Sequence, residues 1–352
     1  MPGLLTPDRS EAAGTNRPSA EKRRMHLRSL RLIIILLLGT VPSGCGQIAR
    51  AIVDSPAVVA GIHQARGMSY EGKGDWVDAI AEYTAALKAE PNNPLVLEQR
   101  GNCYVATRAF DLALRDYETG LRAAPQGAAD ERLRSSLWRG LAEAHGYKGD
   151  VRLMWSDFDQ AIKADPRDAG NYLMRGAQYE HRGNKRAALS DYSEAIVLWP
   201  SLEPAYVERG VVHDDLGERA MAVSDYTRAL AIKPNDANAL NDRCFSLSVV
   251  GHDLAKALND CTASLGLSSI PAARFYPLTS RALTYLKLHR YHDALADANA
   301  ALQIAPRDPD SHYLRGKAEI ALGDVADGKR DIGEAEILGK QRVSYYRSYG
   351  LK

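Results

Sequence analysis

The amino-acid sequence predicts an all-α protein, a right-handed α-solenoid of about eight helical hairpins. The main observation is a repeat with a period of 34. A Gly-x2-Tyr-x8-Ala-x3-Tyr-x2-Ala-x4-Pro pattern starts at Gly67 and returns, with one Ala replaced by Gly, at Gly101. A fixed period of this length is typical of stacked helical hairpins, in which each unit buries its apolar face against its neighbours. The second observation is that no alternation of polar and apolar residues competes for a strand.

The pattern continues through the chain and assigns an element to each part of a copy. Copy six has one extra residue near Gly251, and an eighth, fading copy starts at Arg315. The small residue lies in the first helix and the aromatic residue in the second, which lets the two helices approach closely. Gly followed by Asp or Asn predicts the turn between them, with Gly ending the first helix and Asp or Asn capping the second, at Gly74-Asp75, Gly149-Asp150, Gly183-Asn184 and Gly323-Asp324. Proline stops the second helix in six copies, at Pro91, Pro125, Pro166, Pro200, Pro234 and Pro306.

Over roughly residues 58–341 this pattern resembles the tetratricopeptide repeat family. The resemblance implies that the first helix of each hairpin lines the concave side of the stack, and that a partner protein or an extended peptide binds there. It implies little about which partner binds, because the fold hosts many unrelated functions.

The chain divides into four predicted segments. Residues 1–44 form a signal segment, residues 45–57 a short linker, residues 58–338 the array, and residues 339–352 a C-terminal capping tail. Terminal repeats need a cover for their open face. The tail holds Tyr345, Tyr346 and Tyr349 among basic residues, and partner docking by these tyrosines is the alternative.

A ladder of charges accompanies the repeat. The residue before the small one of the first helix is Arg in seven of eight copies, and the residue before the aromatic place of the second helix is acidic in all eight. We expect each Arg to pair with an acid of its own hairpin or the next; the alternative is a stripe that binds phosphate or carboxylate groups. Copy three has Leu141 instead of Arg, which leaves Asp157 without this partner.

The N-terminal segment predicts export. Basic residues from Lys22 to Arg31 precede the apolar run 32–38 and the small residues before Cys45. This run is shorter than the ~20 residues that a spanning helix needs, and the order of segments is that of a secretory signal. The end of the segment resembles a bacterial lipobox, which implies lipidation of Cys45, although Pro42 replaces the usual aliphatic residue. Translation from Met25 would give a signal of ordinary length.

These features predict an outer-membrane lipoprotein that faces the periplasm, held to the membrane by its N-terminal lipid. The alternatives are an uncleaved anchor, a secreted protein and a cytoplasmic protein. The formal net charge of the chain is +1, and no Lys/Arg block occurs in the array. Nucleic-acid binding is therefore disfavoured.

The cysteines after Cys45 are Cys103, Cys244 and Cys261. Cys244 and Cys261 occupy facing places in copy six, where they are either buried small apolar residues or a disulfide, which the periplasm permits. No catalytic or phosphate-binding motif occurs. We therefore expect no enzymatic activity, no cofactor, no metal and no small-molecule substrate.

The candidate binding residues lie on the first helices. The middle of the set is acidic, so a basic or amide-rich extended segment is the expected ligand; the alternative is a solvated concave face. The candidates are Asn102, Arg139, Glu143, Tyr147, Glu180, His181, Glu208, Asp214, Asp215, Asn238 and Asn241. The predicted function is a non-enzymatic scaffold or adaptor of the bacterial cell envelope, and the alternative is a cytoplasmic co-chaperone or regulatory scaffold.

Overall fold

The structure, a computed structural model, describes residues 54–125 and 130–351, and in these residues it is helical without strands. The signal segment and Cys45 lie outside the described residues. Sixteen α-helices are described, with a short 3-10 helix at Pro271–Arg274. They are α1 (Pro56–Glu71), α2 (Trp76–Ala89), α3 (Pro94–Ala106), α4 (Phe110–Ala123), α5 (Glu131–Lys148), α6 (Val151–Ala164), α7 (Ala169–His181), α8 (Lys185–Leu198), α9 (Glu203–Asp215), α10 (Arg219–Ile232), α11 (Ala237–Val250), α12 (Leu254–Leu267), α13 (Phe275–Lys287), α14 (Tyr291–Ile304), α15 (Pro309–Leu322) and α16 (Val325–Ser348).

Consecutive helices pack in pairs, which gives the eight predicted hairpins and confirms the all-α helical-repeat fold. The chain groups into two compact units, of which the first ends at Ala123 and the second begins at Ala124. The first unit holds hairpins α1–α2 and α3–α4. The second holds the six hairpins from α5 to α16.

The turn inside each hairpin needs a left-handed residue. Six copies place Gly there, with φ between 75° at Gly74 and 104° at Gly323. Copies two and seven place Arg108 (φ 60°) and His289 (φ 58°) at the equivalent position, which is unfavourable for residues with a side chain. The predicted caps are confirmed in part. Asn184 accepts a bond from the backbone N–H of Ala187 at 3.3 Å, whereas the side chains of Asp75, Asp150 and Asp324 make no capping bond.

Small and large residues are matched across each hairpin. A Cβ added to Gly101 would lie 2.5 Å from Cε1 of Tyr117, so the close approach of α3 and α4 requires glycine there. Where the first helix carries Ala282, the facing residue of the second helix is Ala298, and both are fully buried. The sizes of the facing residues are therefore complementary within each of these hairpins.

The charge ladder is structural, as predicted. In six copies the guanidinium binds both oxygens of the Asp of its own hairpin; in copy five, Arg209 donates to Asp225 at 2.9 and 2.7 Å. The remaining nitrogen of Arg209 donates to Ser193 of the preceding hairpin at 3.1 Å. The other pairs are Arg100–Asp116, Arg175–Asp191, Arg243–Asp260, Arg281–Asp297 and Arg315–Asp331.

In the two remaining copies a histidine contacts the acid of the ladder, although copy one carries Arg66 in the arginine place. In copy three, Nδ1 of His145 lies 2.6 Å from Asp157, the acid that Leu141 leaves without its usual partner. In copy one, Nδ1 of His63 lies 2.7 Å from Glu82. Both histidines thus take part in the ladder.

Copy six is closed covalently. Cys244 and Cys261 form a disulfide that joins α11 to α12, with their Cα atoms 5.5 Å apart. Of the two possibilities that the sequence leaves open, the structure has the disulfide. Cys103 is a free, fully buried thiol.

Candidate protein-binding face

Carboxylates line the first helices of the second unit. Glu143 lies on α5, Glu180 on α7, Glu208 and Asp214 on α9, and Asp242 on α11, and all five are half-buried. Glu208 and Asp242 are separated by the repeat period of 34, so they occupy equivalent places in successive hairpins. We call these five residues the acidic strip.

The surroundings of the strip raise the pKa of its carboxyl groups and so disfavour their charged form. Burial raises the pKa of Glu208 to about 7, and repulsion from Glu180 and Glu203 adds to the effect. Burial also raises the pKa of Asp242 to about 7, with further repulsion from Asp214 and other nearby carboxylates. The pKa of Glu143 is raised by burial, against the attraction of Arg139. A cation placed here would relieve the repulsion and favour ionisation.

Two members of the strip accept hydrogen bonds from buried tyrosines. The hydroxyl of Tyr192 donates to Glu180 at 2.7 Å, and that of Tyr226 donates to Asp214 at 3.1 Å. Asp214 also pairs with Arg219 at 2.7 Å. The buried tyrosines of the second helices thus reach the first helices and fix these carboxylates.

Glu143 and Glu208 differ in this respect, because none of the described residues donates a hydrogen bond to either carboxylate. Asn241 adds a further acceptor, since its Oδ1 is buried without a hydrogen-bond partner, while its Nδ2 donates to Asp242 at 3.2 Å. The strip therefore presents acceptors for donors that the second unit does not supply.

The remaining predicted candidates also lie on the first helices. Arg139 binds Asp168 and donates to Asn171 at 2.9 Å, which ties copy three to copy four. Asn102, in the first unit, accepts from the hydroxyl of Tyr117 at 2.7 Å. Lys185 lies 3.1 Å from Asp215. The exposed candidates are Tyr147, His181, Asp215 and Asn238.

Sequence reasoning missed Asp242 and Arg219. The repeat period applied to Glu208 would have found Asp242. Arg219 has no such signal, because its contacts depend on the C-terminal tail: its Nη2 donates to the hydroxyl of Tyr349 at 2.8 Å and also to that of Tyr345.

No group of three or more His, Cys, Asp and Glu residues that could hold a metal ion occurs among residues 54–125 and 130–351. Within the same ranges no helix has both the length and the apolar character to cross a membrane.

Helical hairpins whose two helices are held together by Arg–Asp pairs, with two carboxylates on the first helices that accept no hydrogen bond from the described residues, define a helical-repeat protein of the kind that binds other proteins. Family models described as tetratricopeptide repeat match residues 65–128, 279–328 and 203–236. With the eight hairpins of the structure, these matches show that the chain contains tetratricopeptide repeats. Such repeats are generally scaffolds that bind proteins or peptides and have no enzymatic activity.

A curated relative is the DnaJ protein P58IPK homolog of Arabidopsis thaliana, 31% identical over 102 residues. The match covers 28% of this chain and about a fifth (21%) of that relative. Among solved structures, the APC/C hetero-tetramer Cut9–Hcn1 gives a TM-score of 0.55 at 16% identity, covering 90% of this chain and 57% of that one. PilF of Pseudomonas aeruginosa gives 0.54 at 14% identity, covering 62% of this chain and 94% of that one. These structural likenesses show the fold alone.

Proposed function

We propose that this protein is a non-enzymatic adaptor of the bacterial cell envelope, and that the acidic strip of its second unit binds a basic or amide-rich extended segment of a partner protein. The observation that supports the proposal is the pair of half-buried carboxylates, Glu143 and Glu208, to which no described residue donates a hydrogen bond. Their raised pKa shows that the surroundings disfavour the charge they carry at neutral pH.

A lysine or arginine of the partner would supply a countercharge for Glu208, whose charged neighbours Glu180 and Glu203 repel it. Binding would draw Glu208 from partial to full ionisation, because a nearby cation lowers the pKa of a carboxyl group. Backbone or amide N–H groups of the partner would donate to the carboxylates of Glu143 and Glu208. The register of Glu208 and Asp242, one repeat apart, suits an extended segment that crosses successive hairpins.

Peptide titration tests the strip. A fluorescein-labelled peptide of alternating Lys and Asn is titrated with the full chain at pH 7.5, and Glu208→Gln is expected to weaken binding at least fivefold. Glu194→Gln is the matched control, since Glu194 is exposed on the second helix α8, and it should leave binding unchanged. Equal affinity of wild type and Glu208→Gln, or equal binding of an Asp/Asn peptide, would refute a basic ligand at the strip.

The proposed location in the cell envelope rests on the N-terminal segment and on Cys45, which lie outside the described residues. Lipidation there would leave about ten residues between Cys45 and α1, a reach of at most ~40 Å. Fractionation of cells carrying wild type or Cys45→Ala, with intact-mass analysis of the mature N-terminus, is the test. A diacylglyceryl mass on Cys45 and loss of membrane association in the variant are expected. A soluble chain that keeps residues 1–44 would refute the setting.

The second candidate is a cytoplasmic co-chaperone or regulatory scaffold, for which the partial identity to a DnaJ protein is the supporting observation. The same fractionation separates the two candidates. Residues 25–45 would then be dispensable for localisation, whereas export requires them.

A further inference from the structure

The C-terminal tail turns back over the first helices of copies six to eight. The sequence predicts a cap at the end of the stack, but the helical path of α16 is interrupted at Gly339, with φ −166° and ψ 70°. A Cβ at this position would lie 2.9 Å from Cγ of Pro309, so glycine allows the tail to leave α16 close against the start of α15. Residues 340–351 then pack on α15 and beyond.

An ion pair and an aromatic stack hold the first part of the tail. Nε of Arg342 donates to both oxygens of Asp310, at 3.0 and 3.1 Å. The ring of Tyr346 stacks on that of Tyr313 with centroids 5.6 Å apart. Tyr346 and Val343 are 2% and 1% exposed and belong to the same apolar cluster as Leu283 of copy seven.

The second part of the tail reaches as far as copy five. Arg219 donates to the hydroxyls of Tyr345 and Tyr349, and its guanidinium lies 5.5 Å from the ring centroid of Phe245. Lys287 donates to the backbone carbonyl oxygen of Tyr349. The hydroxyl of Tyr313 donates to the backbone carbonyl oxygen of Leu351. Since Arg219 also binds Asp214 of the acidic strip, the tail ends beside that strip.

We propose that the tail is an intramolecular ligand, and that the surface beneath it is a second docking surface for a partner segment of the same chemistry. We call this the tail surface and define it by Arg219, Phe245, Lys287, Asp310 and Tyr313. It fits a segment with an arginine for Asp310, an aromatic ring three or four residues later for Tyr313, and tyrosine hydroxyls for Arg219. The partner segment and the tail cannot occupy it together, so the tail sets the threshold for binding.

The strength of the competition between the tail and a free segment follows from the effective concentration of the tethered tail. A tethered segment acts at an effective concentration in the millimolar range, so a free segment of equal intrinsic affinity must exceed that concentration to displace it. The apparent dissociation constant of a competitor rises in inverse proportion to the fraction of molecules in which the tail is released. Loosening the tail is therefore expected to tighten binding in trans by at least tenfold.

The experiment uses the full chain and, as probe, a fluorescein-labelled synthetic peptide of residues 340–352. Fluorescence anisotropy compares wild type with Arg342→Ser and with the double variant Arg342→Ser/Tyr346→Ser, both of which leave the tail surface unchanged. Lys340→Ser is the matched control, because it removes the same charge from an exposed tail position. Circular dichroism checks that each variant keeps its helical content.

We expect the double variant to bind the peptide at least tenfold more tightly than wild type and Lys340→Ser, and the added change Asp310→Asn to abolish that gain. Equal affinity of all proteins, or no binding to any, would overturn the proposal and leave the tail a structural cap. A wild-type dimer that Arg342→Ser converts to a monomer would place the tail on a second copy and overturn closure within one chain.

The proposal rests on the proposed function only in taking the first helices as the docking side. Glu208→Gln is expected to leave binding of the tail peptide unchanged while weakening the Lys/Asn peptide. Failure at the acidic strip and failure at the tail surface are thus separate results.

Discussion

Replacement of Arg281 tests whether the charge ladder stabilises the array. Arg281 binds Asp297 with two hydrogen bonds, Nε to Oδ2 at 2.7 Å and Nη2 to Oδ1 at 2.9 Å. Asp297 is only 7% exposed, so Arg281→Met leaves its carboxylate buried without its charged partner. Breaking a buried pair on one side costs roughly 3–5 kcal/mol. Because the Arg281 side chain keeps some contact with water, we expect a value near the lower limit, about 3 kcal/mol.

Thermal unfolding followed by circular dichroism measures the effect. For a unit of roughly 150–250 residues, 1 kcal/mol shifts Tm by about 2–4 °C, so Arg281→Met should lower Tm by roughly 6–12 °C. Arg330→Met is the control, because Arg330 pairs with Asp327 at 2.8 Å on the surface, with side chains 74% and 56% exposed. Exposed pairs contribute at most about 1 kcal/mol.

The double variant Arg281→Met/Asp297→Leu completes the cycle. It removes the unpaired carboxylate, so it should recover at least half of the stability that Arg281→Met loses. If Arg281→Met and Arg330→Met cost the same small amount, the stabilising role of the ladder is refuted. The alternative of an arginine stripe that binds anions would then gain support.

Three further predictions concern turns, the disulfide and pH. Arg108→Gly should stabilise the first unit by about 0.5–1 kcal/mol in urea unfolding. The reason is that glycine removes the strain of a left-handed backbone conformation, and this gain exceeds the entropy that the more flexible residue loses on folding. An unchanged midpoint would contradict this prediction. Reduction of the Cys244–Cys261 disulfide, which closes a loop with a sequence separation of 17, should cost about 3 kcal/mol, and Cys261→Ser should be insensitive to dithiothreitol. The pKa of Glu208 is raised to about 7 in the folded state. Between the ordinary pKa of a glutamate and this value, Glu208 keeps its proton in the folded chain but loses it in the unfolded chain. Stability should therefore fall from pH 5 to pH 7.5, and a Glu208→Gln variant with an equally steep fall would refute this.

Much of the fold follows from the sequence because each repeat is a local unit. The hairpin turn at Gly74, the stop before Pro91 and the match of Gly101 with Tyr117 involve residues within one period. The Arg–Asp pairs follow for the same reason, since their spacing recurs in nearly every copy. The acidic character of the first helices was also readable, and the repeat period links Glu208 to Asp242.

Tertiary structure decided what lies beyond one period. The sequence places Glu180, Glu208 and Asp214 on one set of helices, but only packing shows that tyrosines satisfy two of them while Glu208 has no donor. Composition leaves both states of Cys244 and Cys261 open, and the approach of α11 to α12 selects the disulfide. The tail reaches Arg219 across more than a hundred residues of chain, and no local pattern encodes such a contact. Its path depends on the shape of a surface that exists only after the repeats have stacked.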